Sequence, residues 1–336
     1  MTEISSVLAA FGEVATIATL RAAGIADRRL RDAVRDGIVR RLRPGWYASW
    51  RADSEQCRAV TLHGRLGCAS ALERLGVWSG TEARMHVHVP RNAARLNREP
   101  VELHVHVPRN AARLDREPVE AAGGTPVWHP RTPQRMRRSI RVADPHLVPA
   151  VHWRQEVDPA AALDWIVSPT TALAEATRCL PPEHAQAAID SVIAERVLRR
   201  RDVERIVAAA PARSGLVVDE LCDRLESGVE SLFVRRLIAA GYRVDPQFRF
   251  GQFGRFDGVI EGCVLFEVDG WLHHSTRASF VSDRERTLVG QAFGMPVVRA
   301  AATQVLADWP LVEAAVARTV ADAMRLRRVD GRPSAF

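Results

Sequence analysis

In the run Cys263–Trp271, CVLFEVDGW, two carboxylates stand two residues apart on a stretch that is otherwise apolar. Side chains alternate across a strand, so Glu267 and Asp269 share one sheet face, while Val264, Leu265, Phe266 and Val268 demand burial. An acidic hairpin exposed at a sheet edge would not carry such flanks. The chain on either side follows a matching pattern. Residues 227–240 put Val229, Leu232, Phe233 and Leu237 on one helical face and stop at Gly241; residues 248–260 and 264–269 are β-prone and joined at Glu261-Gly262. Residues 283–293 read as a second helix, 296–299 as a strand and 309–325 as a last helix. Helix, strands, helix, strand, helix predicts an α/β sandwich on a mixed sheet.

A third acid completes a constellation. Pairing across the tight turn brings Asp257 opposite or next to Glu267, within about 5 Å. Carboxylates this close on a half-buried sheet repel one another unless a cation separates them. Hard oxygen donors with open positions suit Mg²⁺ or Mn²⁺, and such an ion polarises a scissile phosphate and generates hydroxide near neutral pH. The expected chemistry is phosphodiester hydrolysis by Asp257, Glu267 and Asp269, with Glu230 joining the metal shell from the first helix. His273 and His274 follow the Asp269-Gly270-Trp271 bend, where imidazole can protonate a leaving oxygen or orient water, unless both are loop-surface residues. Asp283, Arg284 and Arg286 open the next helix; an arginine there clamps phosphate or pairs with a carboxylate.

The segments ESGVESLFVRRLIAAGY, RFDGVIEGCVLFEVDGWLHHS and SDRERTLVGQAFGMPVVRA resemble the nuclease-like domain related to the very-short-patch-repair endonucleases, within the PD-(D/E)XK superfamily. The resemblance covers about a third of the chain. It implies a restriction-endonuclease-like fold in which Asp257 and Glu267 match the metal-binding acids, Glu230 the helical acid, and His273 or His274 the histidines after the central strand. Where the superfamily usually has lysine, two residues after the acid, this chain has Asp269. The group that activates water is thereby left open, with a histidine as the substitute.

The other end of the chain has a different character. Residues 4–11 and 15–23 are apolar segments ending at Gly12 and Gly24, Asp27 is placed to cap a third helix over RRLRDAVRD, and IVRRLRPGWYAS gives two β-prone runs around a Pro-Gly turn. Helix, helix, basic helix, hairpin is the order of a winged helix-turn-helix. From Arg28 to Arg43 there are seven arginines and two aspartates, a net charge of +5 in sixteen residues. Arg28, Arg29, Arg31 and Arg35 fall on the third helix, leaving Leu30, Ala33 and Val34 for its buried face; Arg40, Arg41 and Arg43 fall on the wing. Arginine's planar fork binds two phosphate oxygens at once, so helix and wing together can grip double-stranded DNA. The alternative is a solvated charged helix in a domain that only packs. All 47 basic residues of the chain are arginine, against 40 acids, for a net charge of +7 that suits a polyanionic partner. The stretch GEVATIATLRAAGIADRRLRDAVRDGIVRRLRPGWYA is similar to the winged-helix domain of AbiEi-type antitoxins. That likeness implies DNA binding and repression of its own promoter, with a cognate toxin as a further partner, rather than catalysis.

Between these ends the chain reads as a connector or sensor. It holds a helical piece, AVTLHGRLGCASALERLG, a Pro- and Arg-rich run, and three candidate helices in SPTTALAEATRC, PEHAQAAIDSVIAERVL and RRDVERIVAAA. It also holds a duplication: residues 85–102, MHVHVPRNAARLNREPVE, are followed at once by LHVHVPRNAARLDREPVE, identical at sixteen of eighteen positions. Two units are too few to stack a solenoid. Eighteen is even, which preserves strand phase, and is about five helical turns, so the copy reads as a tolerated in-frame insertion. One copy is expected to form the native strand while the other lengthens a hairpin or bulges outward. His86, His88, His104 and His106 can be drawn as a four-nitrogen metal site, but the preferred reading turns Met85, Val87 and Val89 inward and the histidines to solvent.

Cys57, Cys68, Cys179, Cys222 and Cys263 are far apart with no C-x-x-C pair, and read as core residues in a reducing compartment rather than zinc or disulfide ligands. No leader-like start or long apolar run is seen, so a cytoplasmic protein without a membrane span is expected. The expected organisation is α/β (α+β) and multidomain: a winged helix at 1–52, a mixed region at 53–212, a nuclease-like domain at 213–326 and a flexible tail at 327–336. Two functions fit it. One is a DNA-binding, Mg²⁺- or Mn²⁺-dependent endonuclease acting in defence or DNA repair. The other is a non-catalytic repressor or antitoxin whose nuclease fold survives as a platform.

Overall fold

A computed structural model describes residues 3–90, 148–154, 163–251, 254–269 and 286–330. His104, His106, His273, His274, Asp283 and Arg284 lie outside the described residues, as do the second copy of the duplication and residues 331–336. The described residues group into two units, one of 3–76, 82–90, 148–154 and 163–175, the other of 77–81, 176–251, 254–269 and 286–330. The chain is thus multidomain and mixed α/β, with a winged-helix-like N-terminal region. No described helix is long and apolar enough to cross a membrane.

In the first unit, α1 (Glu3–Ala10), α2 (Ile17–Ala22) and α3 (Asp27–Arg35) pack on a core that includes Leu8, Leu20, Ile25 and Leu30. Leu30 and Ala33 are buried on α3, as its pattern predicts. Strand β1 (Val14–Thr16), which the helical reading of residues 15–23 absorbed, pairs with β3 (Trp46–Ala48), and β3 pairs with β2 (Arg40–Arg43), giving the order β1-β3-β2. Three residues are too few to leave a visible alternation. The boundary is set by Thr16, whose hydroxyl accepts the Thr19 N–H at 3.1 Å and starts α2. Gly45 closes the wing turn at φ +79°, a conformation that favours glycine. Asp27 does not cap α3: Ala26 occupies that position, and Asp27 is the first helical residue, paired with Arg21 at 2.6 Å.

Helix α4 (Ser54–Thr61) opens on a capping box between Asp53 and Gln56. The single helical piece expected over 59–76 is broken: β4 (Arg65–Leu66) intervenes before α5 (Cys68–Arg74) and pairs with β5 (His86–Pro90), the strand of the first duplicate copy. Strand β6 (Ala150–Arg154) joins β5 in parallel, so β5 is the middle strand. His86 and His88 therefore do not face solvent. They are 0% and 6% exposed, because α5 and Glu175 of α6 (Pro169–Cys179) cover the face they occupy. The winged helix is fixed to this unit by side chains: Asp164 Oδ2 accepts the Thr16 N–H at 2.8 Å and the Thr19 hydroxyl at 2.5 Å, and Trp165 Nε1 donates to the Phe11 carbonyl.

The second unit comprises α7 (Pro182–Ala194), α8 (Arg200–Ala208), α9 (Gly228–Ala239), β7 (Val244–Pro246), β8 (Gly258–Ile260), β9 (Val264–Asp269), α10 (described over 286–292), β10 (Val297–Ala301), α11 (Ala302–Ala307) and α12 (Trp309–Asp330). Its sheet runs β10-β9-β8-β7, with β10 and β9 parallel and the other pairs antiparallel. Phe266 packs with Phe233 of α9 and Val316 of α12 on one side, while Leu265 packs with Phe256 and Met295 on the other. That two-sided burial explains the apolar run on β9. The single strand expected over 248–260 is two pieces. The chain leaves β7, makes its own short ladder between Arg249 and Arg255, and re-enters the sheet only at Gly258. Helix α12 runs on to Asp330, past the expected end at Arg325.

Candidate functional site

The arginines of the winged helix divide by what holds them. Arg28, Arg29, Arg31 and Arg35 are exposed on α3. Arg29 pairs with Glu3, and Arg35 with Asp32 and Asp36, each in a solvated position where such pairs are worth little. Arg28 and Arg31 make no ion pair with a described residue and are available to a ligand; Arg41 is likewise exposed on the wing. Arg40 turns inward instead, donating to the carbonyls of Ser49 and Ala52 at 3.1 Å with its guanidinium 5.0 Å over the Trp50 ring. Arg43 stacks 4.8 Å over Trp46. Of the three wing arginines, Arg40 and Arg43 cover tryptophan surface and Arg41 is exposed.

In the second unit the sheet does bring the acids together. The register Gly258↔Phe266 places Asp257 level with Glu267, one step beyond the paired residues. Asp257 Oδ2 accepts the Val268 N–H at 2.7 Å, and burial raises its pKa against the pull of that bond. Glu230, in the first turn of α9, is 3% exposed; its carboxylate accepts from Gln247 Nε2 at 2.8 Å and from the Glu226 N–H at 2.9 Å. Burial, and then the charge of Asp257, push its pKa up to about 8. Glu267 is 6% exposed and is gripped by Arg286 of α10 and by Arg299, its partner across the parallel β9–β10 ladder. Burial still lifts its pKa to about 7, although both guanidiniums oppose the shift. Asp269, on the same face, lies 3.9 Å from Arg299.

The acids expected in a Mg²⁺ or Mn²⁺ shell are held here by protein partners. Such a cation takes ionised carboxylate oxygens with open positions. Here Glu230 accepts from Gln247 and from a backbone N–H, one oxygen of Asp257 accepts the Val268 N–H, and the guanidiniums of Arg286 and Arg299 pair with Glu267. Arg286 is also fixed otherwise, donating to the Arg255 carbonyl and lying 4.8 Å over Phe256. Arg299 was missing from the sequence reading because only the parallel pairing of β10 reveals it.

The raised Glu230 pKa has a signed consequence. A carboxyl whose pKa is higher folded than unfolded gives stability that is complete below its unfolded pKa, near 4.5, and is lost as pH rises through about 8. Glu230→Gln removes the titration, and Gln247 can turn its amide to present the oxygen that has no partner to the new amide. The variant should gain about 2–4 kcal/mol relative to the native chain between pH 5 and pH 8.5. Urea unfolding at both pH values checks this; equal pH dependence in the two proteins would contradict it.

A different cluster went unread in the sequence. The donor atoms of Cys68, His86, His152 and Cys179 lie within 4.8 Å of one another, brought in from α5, β5, β6 and the end of α6. Cys68 is buried as expected of a core cysteine, whereas His86 is buried rather than turned to solvent. No C-x-x-C spacing marks them, and the one visible signal was the H-x-H of the duplicated stretch. Sulfur and imidazole are also the wrong donors for Mg²⁺, so the cluster gives the acid site no support.

Residues 7–49 match the family model described as "Transcriptional regulator, AbiEi antitoxin". Among solved structures the chain is similar to the RV2827C protein from Mycobacterium tuberculosis, at 18% identity over 74% of this chain and 84% of that one, with a TM-score of 0.25. No curated protein matches the chain. The family likeness therefore falls on the arginine-bearing helix and wing, and not on the buried carboxylates.

Proposed function

We propose that this chain is a winged-helix DNA-binding regulator of the AbiEi-antitoxin type that represses its own promoter and does not cut DNA. The observation that carries the reading is the exposed Arg28–Arg31 face of α3, inside the segment matched by that family. Helix α3 would lie in the major groove with Arg28 and Arg31 on base edges or flanking phosphates, and Arg41 would reach backbone phosphate from the wing. In this reading residues 1–52 are the DNA-binding domain and 53–212 a connector. Residues 213–326 are a nuclease-like domain that serves as a platform for DNA or a cognate toxin. The antiparallel β7-β8-β9 meander followed by α10 and parallel β10 supports that last assignment, and the arginine clamp on Glu267 supports lost catalysis.

Fluorescence anisotropy with the duplex upstream of its own reading frame tests the proposal. Binding about 10³-fold tighter than to a random duplex of equal length is expected at physiological salt. Equal affinity for both duplexes would overturn promoter recognition.

The endonuclease reading keeps one specific support: the charge of Asp257 acts on both buried glutamates, Glu230 and Glu267, and carboxylates with shifted pKa gather at catalytic sites. Incubation with supercoiled and mismatched DNA in Mg²⁺ or Mn²⁺ decides it. Cleavage by the native chain, above that of an Asp257→Ala, Glu267→Ala double variant, would replace the regulator reading with the enzyme one.

A further inference from the structure

We infer that Cys68, His86, His152 and Cys179 form a four-coordinate zinc site that ties the β4-β5-β6 sheet to α5 and α6. Zinc in structural sites is tetrahedral, with Zn–S about 2.3 Å and Zn–N about 2.0–2.1 Å, which sets ligand-to-ligand distances of roughly 3.3–3.8 Å. The His86 Nδ1 to His152 Nε2 distance is 3.1 Å, with the two rings stacked, and all four donors fall within 4.8 Å. Small side-chain adjustments close that gap. Two facing imidazole nitrogens share one proton when both rings are neutral; a cation between them satisfies both lone pairs. Two sulfur and two nitrogen donors in tetrahedral reach select zinc over Mg²⁺, Ca²⁺ or Mn²⁺.

The residues around the cluster hold the ligands in place. Glu175, 1% exposed, accepts the Cys68 N–H at 2.9 Å through one oxygen and bonds His88 Nδ1 at 2.6 Å through the other. That contact seats α6 against Cys68, and Cys179 follows Glu175 by four residues on the same unbroken helix, hence on the same face. Gly67 is required beside the site, since a Cβ there would stand 2.5 Å from Glu175 Oε2. The His86 N–H donates to Ser70 Oγ at 3.0 Å, which fixes the second ligand's backbone. Cys68 and His86 are buried while His152 is half-buried, which leaves a side for metal entry. The four ligands are far apart in sequence, so one ion closes long stretches of chain at once.

The test uses the full chain, expressed in zinc-supplemented medium. About one zinc per chain should survive purification, and chelation should lower the thermal midpoint. Cobalt added to the metal-free protein should give the tetrahedral bands and sulfur-to-metal charge transfer of thiolate coordination. Cys68→Ser with Cys179→Ser should weaken cobalt binding by about 100-fold or more, while Cys57→Ser with Cys222→Ser should leave it unchanged. Should the first pair fail to fold, alkylation of the native chain replaces it: zinc should protect Cys68 and Cys179 and leave Cys222 equally reactive. The inference is overturned if the chain takes up no cobalt, if the cobalt spectrum lacks thiolate bands, or if alkylation of Cys68 and Cys179 ignores zinc. A native mass two hydrogens low, mapped to a Cys68–Cys179 disulfide, would also overturn it.

Discussion

Replacing Arg28 and Arg31 together by alanine is expected to weaken binding to promoter DNA by about 100-fold and to lower the slope of log affinity against log salt by about 2. Each guanidinium that contacts phosphate releases close to one counterion, so losing two contacts removes two from the slope; a base contact adds about 1–3 kcal/mol of discrimination. Both residues are exposed on α3 and neither is spent on an ion pair with a described residue, so the folded protein should keep its stability. Arg40→Ala serves as the contrast. Arg40 satisfies the Ser49 and Ala52 carbonyls and covers Trp50, so its loss should appear in unfolding and leave the salt slope nearly unchanged. Anisotropy titrations at several salt concentrations measure both effects. An unchanged slope in the Arg28, Arg31 variant would place the DNA on another surface.

Asp190→Ala is expected to destabilise the second unit by about 3–5 kcal/mol. Asp190, on α7, is 0% exposed, and its carboxylate accepts from Arg235 Nε and Nη2 at 2.8 and 2.9 Å, from the Ser231 hydroxyl at 2.6 Å and from the Cys222 N–H at 3.3 Å. Burial raises its pKa, but Arg235 and these bonds oppose the shift and keep the charge matched. Truncation leaves the Arg235 guanidinium in a largely covered position with, among the described residues, the Glu220 carbonyl and a more distant Glu220 carboxylate. Asn retains an acceptor and should lose only about 1–3 kcal/mol. Urea denaturation orders the three proteins; a loss below about 1 kcal/mol for the alanine variant would mean that the network contributes little.

The elements that were legible in the sequence are those long enough to show a period. Helices α6, α7, α8, α9 and α12 and strand β9 stand where apolar spacing puts them, and α3 buries Leu30 and Ala33 as its pattern requires. The elements that were not legible have two or three residues, or owe their place to distant partners. Strand β1 exists because β3 pairs with it, β4 because β5 does, and the break before Gly258 because the chain between Phe248 and Phe256 pairs with itself. The candidate sites divide on the same line. The proximity of Asp257 to Glu267 follows from a tight hairpin and could be read locally. The arginine clamp depends on the parallel partner β10, and the Cys68–His86–His152–Cys179 cluster on four separate elements, so neither can be assembled from one segment of sequence.

Under the proposed function, DNA is recognised through α3 and its wing and is not cut. DNase footprinting of the full chain on its own upstream region, first with chelator and then with Mg²⁺, tests that most directly. The account predicts protection of about one to two helical turns in both conditions, lost in the Arg28→Ala, Arg31→Ala variant, with no new strand breaks when Mg²⁺ is present. Absence of any protected tract at concentrations that leave random DNA free, or Mg²⁺-dependent scission abolished by Asp257→Ala with Glu267→Ala, would contradict it.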